Sequence, residues 1–231
     1  MSKSPDQPLS VVVLISGNGS NLQAIIDAIA TGSVPARVVA VISNRAEAYG
    51  LTRAANAGIP QHVLNHRNYA DRDAYDAEMM ALIDRYAPGL VVLAGFMRIL
   101  SDGFVAHYAG RMMNIHPSLL PRYRGLNTHQ RVLQAGDAVH GASVHFVTPE
   151  LDAGPVIVQA AVPVQPGDDA DALAARVHTR EHLIYPLAIR WFAEGRVRLE
   201  DDTVLYDGHP ISDDERMYRA DPATHEAGSG V

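Results

Sequence analysis

Three short stretches of this 231-residue chain carry side chains suited to acid–base or anion chemistry. Asn114-Ile115-His116 alternates at strand period, so Asn114 and His116 share one face, and Pro117 ends the strand. An amide donor beside a titratable imidazole is what a developing oxyanion requires. Imidazole is also the usual proton carrier near neutral pH. A histidine that serves packing alone is the competing reading. Asp152 lies in the loop Leu151-Asp152-Ala153-Gly154. A carboxylate near His116 would favour the charged ring, and sequence leaves open whether the two meet. The third stretch, Ser16-Gly17-Asn18-Gly19-Ser20-Asn21, joins an apolar run to a helical pattern. Glycines allow close backbone approach, and a helix start offers free N–H groups and partial positive charge, which suits a phosphate. A tight turn with no ligand stands beside that reading.

The elements that must hold these residues alternate. Val11-Val12-Val13-Leu14-Ile15 is a β-branched run expected of a strand buried on both faces. Leu22, Ile25, Ile26 and Ile29 follow at helical spacing, with Gly32 as the stop. Further strands read at Val38–Ile42, at His62–Leu64 and at Leu90–Ala94, with helices over Tyr49–Ala57 and Asp71–Tyr86 between them. This order predicts βαβ units, a mostly parallel sheet flanked by helices, and ligand binding beyond the strands' carboxyl ends. The segments to examine are therefore 16–21, 95–100, 114–117 and 148–152. After Met113 the chain becomes loop-rich. Alternating strands follow at Ser143–Val147 and Val156–Val164, then a helix over Asp168–Glu194 that Pro186 should bend. Beyond Leu199 the chain is polar, and its last twenty or so residues read as poorly ordered.

Other features narrow the function. A dinucleotide fingerprint needs a third glycine where Leu22 stands and an acid where Ser43-Asn44 stand, which disfavours NAD or FAD. There is no cysteine, so disulfides and cysteine-bound zinc are excluded. The first residues lack a secretory signal pattern, and no apolar run is long enough to span a membrane. The net charge of −7 disfavours a nucleic-acid coat. His178 and His182 are spaced i, i+4 around Glu181, but no Glu directly follows His178, so the HExxH zinc pattern is absent. His62, His66, His107, His129 and His140 read as surface or capping residues. His145 faces either the site or the core. Met79, Met80, Met97, Met112 and Met113 read as core filler.

LISGNGSNLQAIIDAI, VVLAGFMRIL, NIHPSLLP and GASVHFVTPELDAGPVI, in this order and spacing, closely resemble the glycinamide ribonucleotide transformylases. These are folate-dependent formyltransferases of purine synthesis, and the resemblance runs from about Val11 to Leu199. It implies a Rossmann-like formyltransferase fold, an α/β architecture with a mixed, partly antiparallel C-terminal portion. One domain would span 9–199, a phosphate-binding half over about 9–110 and a catalytic and folate-binding half over about 111–199. Residues 200–231 would be a partly disordered polar extension. The resemblance implies Asn114, His116 and Asp152 as the catalytic trio. It implies Gly19, Ser20, Asn21 and the helical stretch His178, Thr179, Arg180 and Glu181 as contacts of the ribonucleotide. Arg72, Met97, Arg98, Ile99, Leu100, Asn114, Thr148, Pro149, Glu150, Leu151 and Asp152 would hold the folate. The implied co-substrate is 10-formyltetrahydrofolate, with no metal, and the amine would attack the formyl carbon directly. A cis Leu120–Pro121 bond is also implied. The chain departs from the family at Asn127, where a His is usual. Expected partners are the two small substrates, with no nucleic acid or membrane, in a cytoplasmic monomer or homodimer. A formyltetrahydrofolate hydrolase or another folate-dependent formyltransferase is the alternative, a non-catalytic nucleotide-binding module a more distant one.

Overall fold

A computed structural model describes residues 7–219. The first strand, β1 (Leu9–Ile15), sends alternate side chains to opposite faces. Val11, Val13 and Ile15 enter one apolar cluster, and Val12 and Leu14 enter another. A strand with both faces buried must be apolar throughout, which explains its unbroken run.

Around β1 lie β2 (Ala36–Ser43), β3 (Gln61–Val63), β4 (Leu90–Leu93), β5 (Met112–His116), β6 (Val139–Phe146) and β7 (Val156–Pro163). The order is β3-β2-β1-β4-β5-β6-β7. The first five strands are parallel, while β6 runs antiparallel to both β5 and β7. Strand order reverses between β1 and β4, the position where open parallel sheets bind ligands.

Helices α1 (Ser20–Ala30), α2 (Tyr49–Asn56) and α3 (Arg72–Asp84) link the parallel strands. Two short helices that neighbouring glycines and prolines mask flank β5, α4 (Asp102–His107) before it and α5 (Thr128–Ala135) in the loop-rich part after it. The long helix α6 (Ala170–Ala193) continues through Pro186, whose face is buried. Tyr185 on α6 is fully buried, and its hydroxyl lies 2.9 Å from the Leu93 carbonyl and 3.0 Å from that of Met113. It fixes α6 across the ends of β4 and β5.

The two faces of the sheet are covered unequally. Residues of α1 and α6 pack with β5, β6 and β7 in one cluster, through Met113, Ile115, Val144, Phe146 and Val158. The other cluster joins α3 and α4 to β1, β2 and β4 and reaches β5 only at Met112. On that second face β5 and β6 carry polar side chains instead.

Residues 200–219 are ordered into a second small sheet and a helical turn. A hairpin pairs β8 (Val197–Glu200) with β9 (Thr203–Tyr206), and β10 (His209–Pro210) adds to β9. Val204 and Ile211 bury their side chains, and α7 (Asp213–Arg216) closes with a capping box on Ser212. Of the last twenty or so residues expected to be poorly ordered, 212–219 instead carry α7 and its flanks, and 220–231 lie outside the described residues, as do residues 1–6, on which the expected lack of a leader partly falls. Among the described residues no helix is long and apolar enough to cross a membrane.

Candidate active site

Asn114 and His116 project from β5 onto the sheet face that α3 and α4 leave uncovered. Antiparallel register sets His145 of β6 opposite Asn114, and Ser143 opposite His116. The β6–β7 register shifts between Val144 and His145, an irregularity of the kind that re-aims side chains beside functional sites.

Asp152 reaches this group from the loop after β6. Its Oδ2 lies 3.3 Å from His116 Nδ1, and its Oδ1 lies 3.8 Å from His145 Nε2. The carboxylate also accepts the Gly125 N–H at 3.0 Å. Asp152 has φ 50, a left-handed conformation that Asp tolerates better than most side chains. Two residues on, a Cβ at Gly154 would sit 1.8 Å from the Phe146 carbonyl oxygen. The loop therefore folds hard against the end of β6, and only glycine permits it.

The two strand residues are held differently. His116 Nε2 lies 2.9 Å from the Tyr123 carbonyl and Nδ1 faces Asp152, so its ring has an acceptor-only group at each nitrogen. His145 Nδ1 lies 2.8 Å from the Phe146 carbonyl, which makes Nδ1 the donor and Nε2 an acceptor. Asn114 Nδ2 then donates to His145 Nε2 at 3.1 Å. Burial pushes the His145 imidazole down to about 4, so it is neutral at physiological pH and can play that part. The sequence leaves His145 between site and core; only the antiparallel register shows that it orients Asn114.

Behind the strand end, buried Ser143 braces the turn that leaves β5. Its hydroxyl donates to the Ser118 carbonyl and accepts from Leu120 N–H and Gln159 Nε2. The Leu120–Pro121 peptide bond in this turn is cis. The segment beyond it is stitched to the Asp152 loop by the Arg124–Glu150 ion pair at 2.6 Å. Asn127 stands at φ 56 before α5, with no side-chain cap bond.

The glycine loop forms as its sequence predicts. Gly19 is left-handed at φ 73 and precedes α1, whose first turn has neither a side-chain cap nor an acidic residue. The first amides of that turn have no intrahelical acceptor and carry the partial positive charge of the helix start. Glu181 is buried on α6 and accepts from Asn21 Nδ2 at 2.8 Å. The carboxylate thus ties α6 to the loop and also lies 3.9 Å from His178 Nε2. Thr179 turns its hydroxyl back to the Arg176 carbonyl, and Arg180 makes no hydrogen bond or ion pair among the described residues.

Of the residues expected at the folate, Met97 to Leu100 follow β4 and Thr148 to Asp152 follow β6, while Asn114 lies on β5 and Arg72 opens α3. Ser16 Oγ accepts the Met97 N–H at 2.8 Å and so joins the glycine loop to the segment Met97 to Leu100. Buried Asp76 holds the far end by accepting the Ser101 N–H. Met97, Ile99 and Leu151 are exposed, an apolar rim on an otherwise polar site, so Met97 is not core filler. Arg98 lies over the Tyr75 ring. Arg72 is exposed at the first turn of α3 and makes no ion pair among the described residues.

Two histidines read as peripheral prove otherwise. His140 is buried and lies 3.0 Å from His129, and burial pushes it down to about 4. An isolated histidine in sequence carries no sign of a partner eleven residues away. Among the described residues no three metal-ligating side chains stand together as a metal site.

The comparisons with known proteins agree with this geometry. The formyl transferase family profile matches residues 9–189. Phosphoribosylglycinamide formyltransferase of Escherichia coli K12 is 60% identical over 203 residues, 88% of this chain and 96% of that protein. The solved phosphoribosylglycinamide formyltransferase of Coxiella burnetii superposes with TM-score 0.88 at 52% identity, covering 92% of this chain and all of that one. A formyltetrahydrofolate deformylase from Pseudomonas syringae has TM-score 0.82 at only 26% identity, and the match covers 88% of this chain but 67% of that one. The chain belongs to the phosphoribosylglycinamide formyltransferases, folate-dependent formyl transferases of purine biosynthesis.

Proposed function

We propose that the enzyme moves the formyl group of 10-formyltetrahydrofolate to the amine of glycinamide ribonucleotide by direct attack, with Asn114, His116 and Asp152 as catalytic residues. One observation carries the reading: an imidazole and an oriented amide on β5 and a carboxylate from the loop after β6 meet, with His145 of β6 between them, within hydrogen-bond or ion-pair reach on the sheet face that α3 and α4 leave uncovered.

The amine nitrogen attacks the formyl carbon, the carbonyl electrons move to oxygen, and the bond to the folate nitrogen then breaks. Asn114 offers the second hydrogen of its Nδ2, since the first is held by neutral His145. His116 donates to the same oxygen after exchanging the Tyr123 carbonyl for it. A negatively charged oxygen outcompetes a neutral carbonyl as acceptor, so the exchange runs toward the transition state. Asp152 stays on Nδ1 and balances the ring's charge. The proton lost by the amine passes, through a water held by Asp152, to the departing folate nitrogen. No covalent enzyme intermediate and no metal take part.

Gly19, Ser20 and Asn21 hold the phosphate, and His178 to Glu181 flank the ribonucleotide. The folate lies along Met97 to Leu100 and Thr148 to Asp152, its ring on backbone amides and its benzoyl portion on the apolar rim, with Arg72 toward its carboxylates. Residues 9–199 form the catalytic unit. The enzyme works in the cytoplasm as a monomer or homodimer on these two small molecules.

Two assays test the reading. Incubation with the folate donor should yield formylated ribonucleotide only when glycinamide ribonucleotide is present; formate release at the same rate without it would make the protein a hydrolase. Asp152→Asn keeps an acceptor for the Gly125 amide but removes the charge. It should lower kcat by about a hundredfold or more while both KM values change little. A kcat within about tenfold of wild type would remove Asp152 from the chemistry.

A further inference from the structure

Nothing in the family motifs accounts for α2, yet this helix lies against the glycine loop. The Gly50 N–H donates to the Gly17 carbonyl at 3.1 Å. A Cβ on Gly19 would stand 2.6 Å from Gly50 Cα, and one on Gly50 would stand 2.5 Å from Ile15 Cδ1, so neither position admits a side chain without movement. One turn along, Arg53 directs its guanidinium at the same loop. Nε donates to the Asn18 carbonyl at 2.9 Å, Nη2 to Asn18 Oδ1 at 3.0 Å and Nη1 to Gln23 Oε1 at 3.2 Å. The guanidinium carbon lies 4.9 Å from the centre of the Tyr49 ring, which supports it from the side.

These contacts fix the direction of two successive peptide groups. In a planar trans peptide the C=O and the following N–H point opposite ways. Gly50 holds the Gly17 carbonyl toward α2, so the Asn18 N–H points away. Arg53 holds the Asn18 carbonyl toward α2, so the Gly19 N–H points away as well. Neither N–H has an acceptor among the described residues. Successive N–H groups turned to one side, continued by the first amides of α1, make an anion-binding concavity. Arg53 also has no carboxylate partner among the described residues, so its charge is not neutralised. That charge reaches α6: burial lowers His182, and the His178 and Arg53 charges push it the same way against Glu181.

We propose that Arg53 is a positioning residue for the substrate phosphate, acting by locking Asn18 so that the Asn18 and Gly19 amides converge on the anion. The inference rests on the reading of the glycine loop as the phosphate site, and the experiment separates the two. Initial rates would be measured for wild type, Arg53→Gln and Arg53→Lys, varying each substrate, with inorganic phosphate as the inhibitor. Inorganic phosphate should compete with glycinamide ribonucleotide in the wild type; if it does not, the loop reading fails. In Arg53→Gln the KM for glycinamide ribonucleotide and the inhibition constant for phosphate should rise together, by about tenfold or more, the size expected for lost charge-assisted hydrogen bonds. The KM for the folate and kcat should stay within about twofold. Lysine restores the charge but not the two-pronged grip on one residue, so Arg53→Lys should recover only part of the loss. Unchanged phosphate inhibition in Arg53→Gln, parallel rises in both KM values, or full rescue by lysine would each overturn the proposal.

Discussion

The orientation of Asn114 depends on a histidine that stays neutral, and acid should therefore weaken both the fold and the site through His145. The ring is buried beneath the Asp152 loop with its Nδ1 on the Phe146 carbonyl, and burial lowers it from 6.5 to about 4. The unfolded chain takes up a proton on this residue below about pH 6.5, whereas the folded chain resists it until about pH 4. The unfolded state thus binds more protons in that window, and stability falls as the pH drops through it. Above about pH 6.5 the contribution is fully retained. Below both values the loss is about 3 kcal/mol, and at about pH 5 it has already reached about 2 kcal/mol. That is a large share of the roughly 5–15 kcal/mol that stabilises a typical domain.

Other buried histidines share this behaviour, His140 most of all, so the wild-type pH profile alone does not isolate His145. A double difference does. Urea unfolding at about pH 7.5 and about pH 5 would be measured for wild type and for His145→Gln, which keeps an acceptor near the Nε2 position but does not titrate. The wild type should lose about 2 kcal/mol more than the variant between the two conditions. Equal losses would mean that His145 is not held neutral by the fold, and the account of how Asn114 is oriented would fall with it.

Substitutions at two further positions test the supports of the site. Gly154→Ala places a methyl group on the Phe146 backbone, which cannot swing aside; the Asp152 loop must shift, with kcat down by more than about tenfold and a destabilisation of roughly 1–3 kcal/mol, and a wild-type kcat in a folded variant would show that Asp152 is positioned otherwise. Glu181→Gln keeps an acceptor for Asn21 and should leave the KM for glycinamide ribonucleotide within about threefold, whereas Glu181→Leu strands a buried amide and should raise it by about tenfold; equal effects in both would assign Glu181 a direct ionic role instead.

The parts of this molecule written in local pattern were legible in its sequence. The unbroken run Val11 to Ile15 announces a strand with two buried faces, and the spacing of Leu173, Val177, Ile184, Leu187 and Trp191 announces α6, although Leu187 and Trp191 are only partly buried. The shared face of Asn114 and His116 follows from strand period alone. The short helices α4 and α5 did not show, because six or eight residues give too few turns for a periodic signal among glycines and prolines. Partnerships across the chain were equally hidden. The pairing of His145 with Asn114 needs the antiparallel register of β5 and β6, and the grip of Arg53 on Asn18 spans 35 positions with no motif to mark it. The resemblance to formyltransferases supplied Asp152 as a partner for His116, which spacing could not.

The antiparallel turn of β6 explains why the site lies where it does. In the parallel part of the sheet, chain ends gather at one edge, and there the glycine loop and the segment after β4 stand, joined by Ser16. β6 runs the other way, so Phe146 at its end pairs with Met113, below His116 rather than beyond it. The following loop must fold back over the sheet to reach His116, which is why it needs a left-handed Asp152 and a glycine pressed on the Phe146 carbonyl. It can do so because α3 and α4 stop short of β5 on that face. The uncovered patch would expose polar side chains to bulk water if nothing crossed it; the loop converts it into a cleft walled by backbone. In the proposed mechanism, side chains on rigid strands do the chemistry, while backbone amides at a helix start hold the charged end of the substrate. The two devices differ because a transition-state oxyanion needs donors aimed within tenths of an ångström, whereas a phosphate needs only several N–H groups converging on one side.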